Sequence, residues 1–321
     1  MIVRIALLMA ALLGAAVPAA AQDWPSKPVR FVVPFPPGGS VDPLARLMAA
    51  KLGDALKAQF IVENKPGASG SIGTAFVAKS APDGYTFVFV FDTHGVNPSL
   101  IPNMQFDTAK DLAPVMLVGT APMAIATAAA KPYKTWGDVV AAAKAKPEAV
   151  SFGTIGNGSM GHLTMILVQQ AVGAKMTHVP YKGGGPMTAD AVGGQVETAI
   201  GSVAVISPHV RSGKLRAVAV TGDKRSPSMP DVPTLSEMGL RGFNALAWWG
   251  VFAPAGTPRP VIDKLNAELA KAIKLPDVNK TLTETLGMDL VVSNPEALQK
   301  FLLDEMARWG KVVKDNNIKA D

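Results

Sequence analysis

A short strand, a glycine turn and the start of a helix recur along this chain, and that unit constrains the fold more than any other feature. The first copy runs from Val29 to Arg46. Val29 to Val33 is a β-branched and aromatic run, the pattern of a buried strand. Pro34, Pro36 and Pro37 cannot extend a ladder, so the strand ends there. Gly38 and Gly39 allow a sharp turn. Asp42 is placed to cap a helix, with Pro43 at its first position. Leu44, Leu47, Met48 and Leu52 then follow at helical spacing. This geometry turns free backbone N–H groups and the positive end of a helix dipole toward an anion. A single such turn is an ordinary βα connection; repetition gives it functional weight.

The unit does repeat. Phe60 to Glu63 is a second strand, followed by the glycine-rich turn from Asn64 to Gly73 and a helix from Thr74 to Lys79. Tyr85 to Phe91 is the clearest strand, and its end carries a polar loop, Asp92-Thr93-His94, then Asn97 to Ser99. Leu112 to Ala126 reads as an extended crossover. Beyond it come a helix from Trp136 to Lys146, a strand at Val150 to Phe152, a glycine loop from Gly153 to Gly161 and a helix from His162 to Val172. Thr177 to Val179, Thr198 to Ile200 and Leu215 to Val220 read as strands, with a helix near Met187 to Val192. Trp248 to Ala253 reads as a return crossover, before helices at Val261 to Ile273, Asp277 to Leu286 and Pro295 to Asn316. The pattern predicts an α/β fold of two lobes facing a cleft, each a sheet flanked by helices, with two hinge crossovers. Lobe one is expected at 22–121 plus 254–321, and lobe two at 122–253. Ligands in such sheets bind beyond the carboxyl ends of the strands.

Composition bears on location and partners. Hydrophobic residues make up 48% of the 321, too many for a disordered chain. The formal charge of +6 falls to +5 without residues 1–21, which hold Arg4 and no acid. The bases are scattered, which argues against nucleic acid. Met1 to Ala21 has a charged start, an apolar stretch from Ile5 to Val17 and a small-residue site at Ala19 to Ala21, the pattern of a signal peptide cleaved near Ala21. With no cysteine, disulfides and thiolate metal sites are excluded. The expectation is a monomeric periplasmic protein.

Several motifs offer chemistry. Gly156 to Gly161 fits G-x-G-x-x-G between a strand and a helix, but Lys175 to Lys182 supplies no acidic residue for a ribose. The loop reads better as a site for a smaller anion, with Ser159 adding a hydroxyl, or as a structural turn. G-x-S-x-G is broken at both Ser71 and Ser159, so a secreted esterase is the alternative function. His94, His162, His178 and His209 lack ligand spacing, so no metal is expected. Thr93 and His94 at a strand end, and Tyr181-Lys182 before Gly183 to Gly185, could reach the cleft. Trp248 and Trp249 could line it, although core packing is their default role.

Taken in order, Trp24-Pro-Ser-Lys-Pro28, Pro34 to Asp42, Glu63 to Ala68, Pro82 to Tyr85, Asn97 to Leu100, Gly158-Ser159, Val179 to Gly183, Gly213 to Arg216, Asp231 to Thr234 and Phe252 to Pro258 resemble one family. It is the Bug-type extracytoplasmic solute receptors of the tripartite tricarboxylate transporters. The resemblance implies a two-lobed, type II-like Venus-flytrap receptor, cofactor-free, that takes a small organic carboxylate and hands it to integral-membrane transporter subunits. It implies that the loops Phe35 to Ser40 and Thr154 to Ser159 hold the carboxylate. The candidate ligand-binding set is Phe35, Pro36, Gly38, Gly39, Ser40, Asp42, Asn64, Thr93, His94, Thr154, Ile155, Gly158, Ser159, Tyr181, Gly184 and Gly201. One departure stands out: Gly201 occupies the position where the family usually carries Asp.

Overall fold

A computed structural model of the chain describes residues 24–240 and 244–319; the expected signal peptide, residues 1–21, lies outside the described residues. The opening strand, β1 (Val29–Val33), has only Arg30 exposed. It lies between β2 (Phe60–Asn64) and β3 (Thr86–Val90), parallel to both. Strands covered on both faces need apolar runs rather than alternation, and Phe31 and Phe87 are fully buried. Phe31 packs on the rings of Phe60, Phe87 and Phe89 at centroid distances of 5.2, 6.2 and 4.9 Å.

Helix α1 (Val41–Leu56) starts earlier than the sequence predicts. Ser40 is its N-cap, and Asp42 falls within the first turn. Asp42 accepts hydrogen bonds from Arg46 Nε at 3.0 Å and Asn64 Nδ2 at 2.8 Å. A carboxylate there gains from the helix dipole and an i,i+4 partner without capping. After a 3-10 turn (Ala68–Gly70), α2 (Ser71–Ala78) covers the sheet. The polar stretch expected as a loop after β3 is instead the start of α3 (Thr93–Leu100).

The two lobes are joined by two long antiparallel neighbours. β4 (Leu112–Ala128) pairs with β9 (Leu246–Pro254) from Leu112 to Pro122. From Met123 onward it pairs with β7 (Thr198–Ser202) and β8 (Leu215–Val220). Irregular register accompanies β4 at three places, which bends a strand so that it can serve two sheets. The strand order is β2-β1-β3-β9-β4-β7-β5-β6, where β5 is Ser151–Thr154 and β6 is Thr177–Pro180.

The second lobe adds α4 (Trp136–Ala145), α5 (Met160–Val172), α6 (Gly184–Val192) and α7 (Val203–Arg211). α7 escapes a sequence reading because Pro208 lies inside it and signals a break. The chain then returns to the first lobe with α8 (Arg259–Lys274), α9 (Pro276–Lys280), β10 (Asp289–Leu290) and α10 (Pro295–Asp315). The helix expected at 277–286 divides, because α9 gives way to a π turn at Thr281–Thr285.

Phe31 is the buried ring on which Phe60, Phe87 and Phe89 of the first lobe's sheet converge. Replacing Phe31 with Ala should cost about 3–5 kcal/mol, read as a lowered urea midpoint with an unchanged m-value.

Candidate functional site

The carboxyl ends of four strands meet at one cavity between the lobes. Phe35 follows β1, Phe91 follows β3, Ile155 follows β5 and Ser202 ends β7, and all four line it. Met123 of β4, where the strand changes partners, closes the floor. The cavity encloses about 20 Å³, room for no more than a water or two.

Three helices begin at this cavity. α1 contributes its N-terminus through Gly39, Ser40 and Val41, α6 through Gly184, and α7 through Ser202 and Val205. None of the three has a side-chain cap hydrogen bond. The first N–H groups of a helix have no intrahelical partner, so uncapped donors and three positive dipole ends converge. Among the described residues, no Asp, Glu, Lys, Arg or His lines the wall. Ser40 Oγ accepts from Trp249 Nε1 at 3.1 Å and keeps its own hydrogen for a ligand. Ser202 Oγ is buried with no hydrogen-bond partner.

Of the sixteen residues expected to bind a ligand, Phe35, Gly39, Ser40, Ile155, Gly184 and Gly201 line this cavity. Ile155 also lines an outer cavity of about 610 Å³, together with Tyr181, Asn157 and Lys182. Gly38 (φ +89°) and Pro36 lie where the lobes touch: a Cβ on Gly38 would stand 3.4 Å from Gly185, and Pro36 lies against Gly183. Asn64 bridges the Phe35 carbonyl, at 3.0 Å, and Asp42; the two residues hold the shape of the first loop from behind. Thr93 donates to the Ser69 carbonyl at 2.8 Å, and Ser69 Oγ reaches across to the Asn157 carbonyl at 3.2 Å.

His94 faces away from the cleft, because α3 turns it into the core of the first lobe. It lies against Phe106, Trp248 and Phe252, and burial pushes its pKa down to about 3. Trp248 shares that core, and both ring faces of the Trp pair are buried.

The second anion loop is organised differently from the sequence expectation. Thr154 Oγ1 is hydrogen-bonded to His178 Nε2 at 2.7 Å and to the Gly156 carbonyl at 3.1 Å. His178 stacks on His162 with centroids 3.9 Å apart, and burial, aided by His162, pushes its pKa down to about 3. Gly158 N donates to His162 Nδ1 at 3.1 Å. Ser159 is fully buried and caps α5, accepting from His162 N at 3.3 Å. The enclosed setting of Ser159 gives no support to the esterase alternative. Tyr181 donates to Asp190 Oδ2 at 2.9 Å, and burial, then Asp190, pushes its pKa up to about 12.

The N-terminus of α5 is met by a carboxylate of the protein itself. Asp92 lies across the lobe boundary from the Met160 N–H. Burial holds its pKa well above the usual carboxylate range and Glu305 adds to this, while the Met160 and Thr93 N–H groups offset a part. Neither Asp92 oxygen makes a hydrogen bond of normal geometry.

The sequence reading missed Val41, Phe91, Met123, Met187, Ser202 and Val205. Apolar wall residues carry the same signal as core. Ser202 was detectable only by recognising that a helix follows β7.

Because the raised pKa of Asp92 penalises its ionised form, the cost is fully present above that pKa and disappears as pH falls toward the ordinary value of 3.8. Asp92→Asn should therefore raise the melting temperature at pH 7 by at least about 2–4 °C. The gain should shrink as pH is lowered, in thermal scans from pH 7 to pH 4.

Residues 44–318 match the family described as "Tripartite tricarboxylate transporter family receptor". Protein BugT of Bordetella pertussis is 37% identical over 311 residues, covering 95% of this chain and 94% of BugT. The solved periplasmic binding protein BugD superposes with a TM-score of 0.88 at 33% identity, covering 93% of this chain and all of that one. An R. palustris protein solved with adipate superposes with a TM-score of 0.89 at 34% identity, covering 93% of this chain and all of that one. The two-lobed fold, the shared strands and the interlobe cavity are thus those of a periplasmic solute receptor, and the chain belongs to the tripartite tricarboxylate transporter receptor family.

Proposed function

We propose that this protein captures a small organic carboxylate between its lobes and delivers it to integral-membrane subunits of a tripartite transporter. The observation that carries this reading is the convergence of three uncapped helix N-termini on a cavity with no charged side chain. Backbone N–H groups and helix dipoles then neutralise the anion, with the hydroxyls of Ser40 and Ser202 donating. The receptor works without catalysis or cofactor, as a monomer in the periplasm once the leader is cleaved near Ala21. Adipate in a structural relative supports the carboxylate class.

The lobes in this reading are 22–121 with 254–321, and 122–253. The change of partners on β4 between Pro122 and Met123 supports the first boundary. β9 pairs with β3 and the first half of β4 along its length, so we propose moving the second boundary to its start, near 245.

A cavity of about 20 Å³ admits no carboxylic acid of several carbons unless the lobes first separate. Ligand binding is therefore coupled to opening and reclosure. Gly158 gives a handle on closure: its φ is +69°, and a Cβ there would stand 1.7 Å from Leu100 Cδ1 on the facing lobe.

A thermal-shift screen against carboxylates tests the function, since a ligand that binds only the native state raises the melting temperature. The expected outcome is a shift with at least one acid; no shift across the library would count against the reading. Gly158→Ala should weaken the best acid about tenfold or more, through left-handed strain and the Leu100 clash. Adding Leu100→Ala should restore part of that loss. Scattering with saturating acid should show a larger radius of gyration for Gly158→Ala than for the unaltered protein.

A further inference from the structure

Three features of the cavity wall bear on what kind of carboxylate fits. The first is the second-lobe end of the cavity. Gly201 projects no side chain, and the space a Cβ would take is met by Met187 Cε at 2.9 Å and Ile206 Cγ1 at 3.6 Å. The second is the remaining wall, which is built from Phe35, Phe91, Met123, Ile155 and Val205. The third is the distribution of polar groups. Ser40 and Ser202 are the polar side chains of the wall, both at helix N-termini, and Ser202 Oγ is buried without a partner.

We infer that the ligand is a monocarboxylate with an apolar, aryl or branched-alkyl body, rather than a dicarboxylate. This rests on the carboxylate-receptor reading above and narrows it. The single carboxylate lies at the converging N-termini, where Ser202 Oγ gains the partner it lacks. The body lies against Met187, Ile206 and Val205. A second carboxylate lying against these thioether and methyl groups would find no cationic or other polar side chain to replace its water, and burying a poorly compensated charge is among the costliest burials in a protein. Met187 suits this role because an unbranched thioether adapts to an apolar guest. The outer cavity, which Ile155 also lines, carries a cation, Lys182. A dicarboxylate long enough to reach it is the competing outcome.

Calorimetry with phenylacetate, benzoate, adipate and malate on the full mature chain separates these cases. The expected result is binding of phenylacetate or benzoate at least tenfold tighter than adipate or malate. Ser202→Ala should weaken the monocarboxylate about tenfold. Met187→Gln keeps the side-chain length but sets an amide in the apolar wall, and should weaken it by a similar factor. Gly201→Asp should abolish it. Because Gly201→Asp could impair folding, circular dichroism accompanies each variant, and Met187→Gln carries the test if that variant does not fold. Tighter binding of adipate or malate than of either monocarboxylate would overturn the inference and leave the receptor reading standing. Unchanged phenylacetate affinity in Met187→Gln and Ser202→Ala would overturn it as well. No binding by any of the four acids, nor by any in the wider screen, would remove the receptor reading and this inference with it.

Discussion

The ladder between β4 and β9 is the constraint on which everything else depends. Two long antiparallel neighbours give the first lobe its inner edge, and the far half of β4 starts the sheet of the second. Every parallel strand laid against this pair on either side points its carboxyl end into the same gap. The loops that follow β1, β3, β5 and β7 therefore meet although they come from separate parts of the sequence. The irregular register along β4 has a role here, because a regular strand of 17 residues could not follow two differently twisted sheets.

With the loops brought together, electrostatics is handled by the backbone. Helix N-termini α1, α6 and α7 point at the cavity, and the side chains around them are neutral. Charged side chains are kept behind the loops, where they fix shape. Asp42, Arg46 and Asn64 brace the first loop, while His162 and His178, stacked, brace the second. A site built in this way needs no guanidinium that would have to be desolvated on closure, and its donors are rigid because helices hold them.

The N-terminus of α5 is met by an acid of the protein itself. α5 has a capping serine, a glycine-rich approach and a positive dipole end, all the features of an anion site. Its N-terminus nevertheless faces a buried carboxylate from the other lobe. The same local sequence can serve a ligand or an internal acid, and only the facing lobe decides which.

The sequence by itself determined the repeated βα units, the α/β class and the position of the crossovers, because strand runs, glycine turns and helical spacing are local properties of the chain. It marked the first loop well, since three prolines and two glycines leave the backbone few alternatives. Tertiary structure decided which of the marked residues share a cavity. His94 looked like a cleft residue but is drawn into the core by α3, where apolar packing outweighs the cost of a buried neutral imidazole. Thr154 and Ser159, expected at the ligand, are also used inside the protein, by His178 and by the start of α5. Met187 and Val205, apolar residues of a kind that the sequence does not distinguish from core, are wall. A residue's type and spacing fix which contacts it can make, but whether a partner from the other lobe or a ligand takes them depends on closure, which is a property of the whole chain.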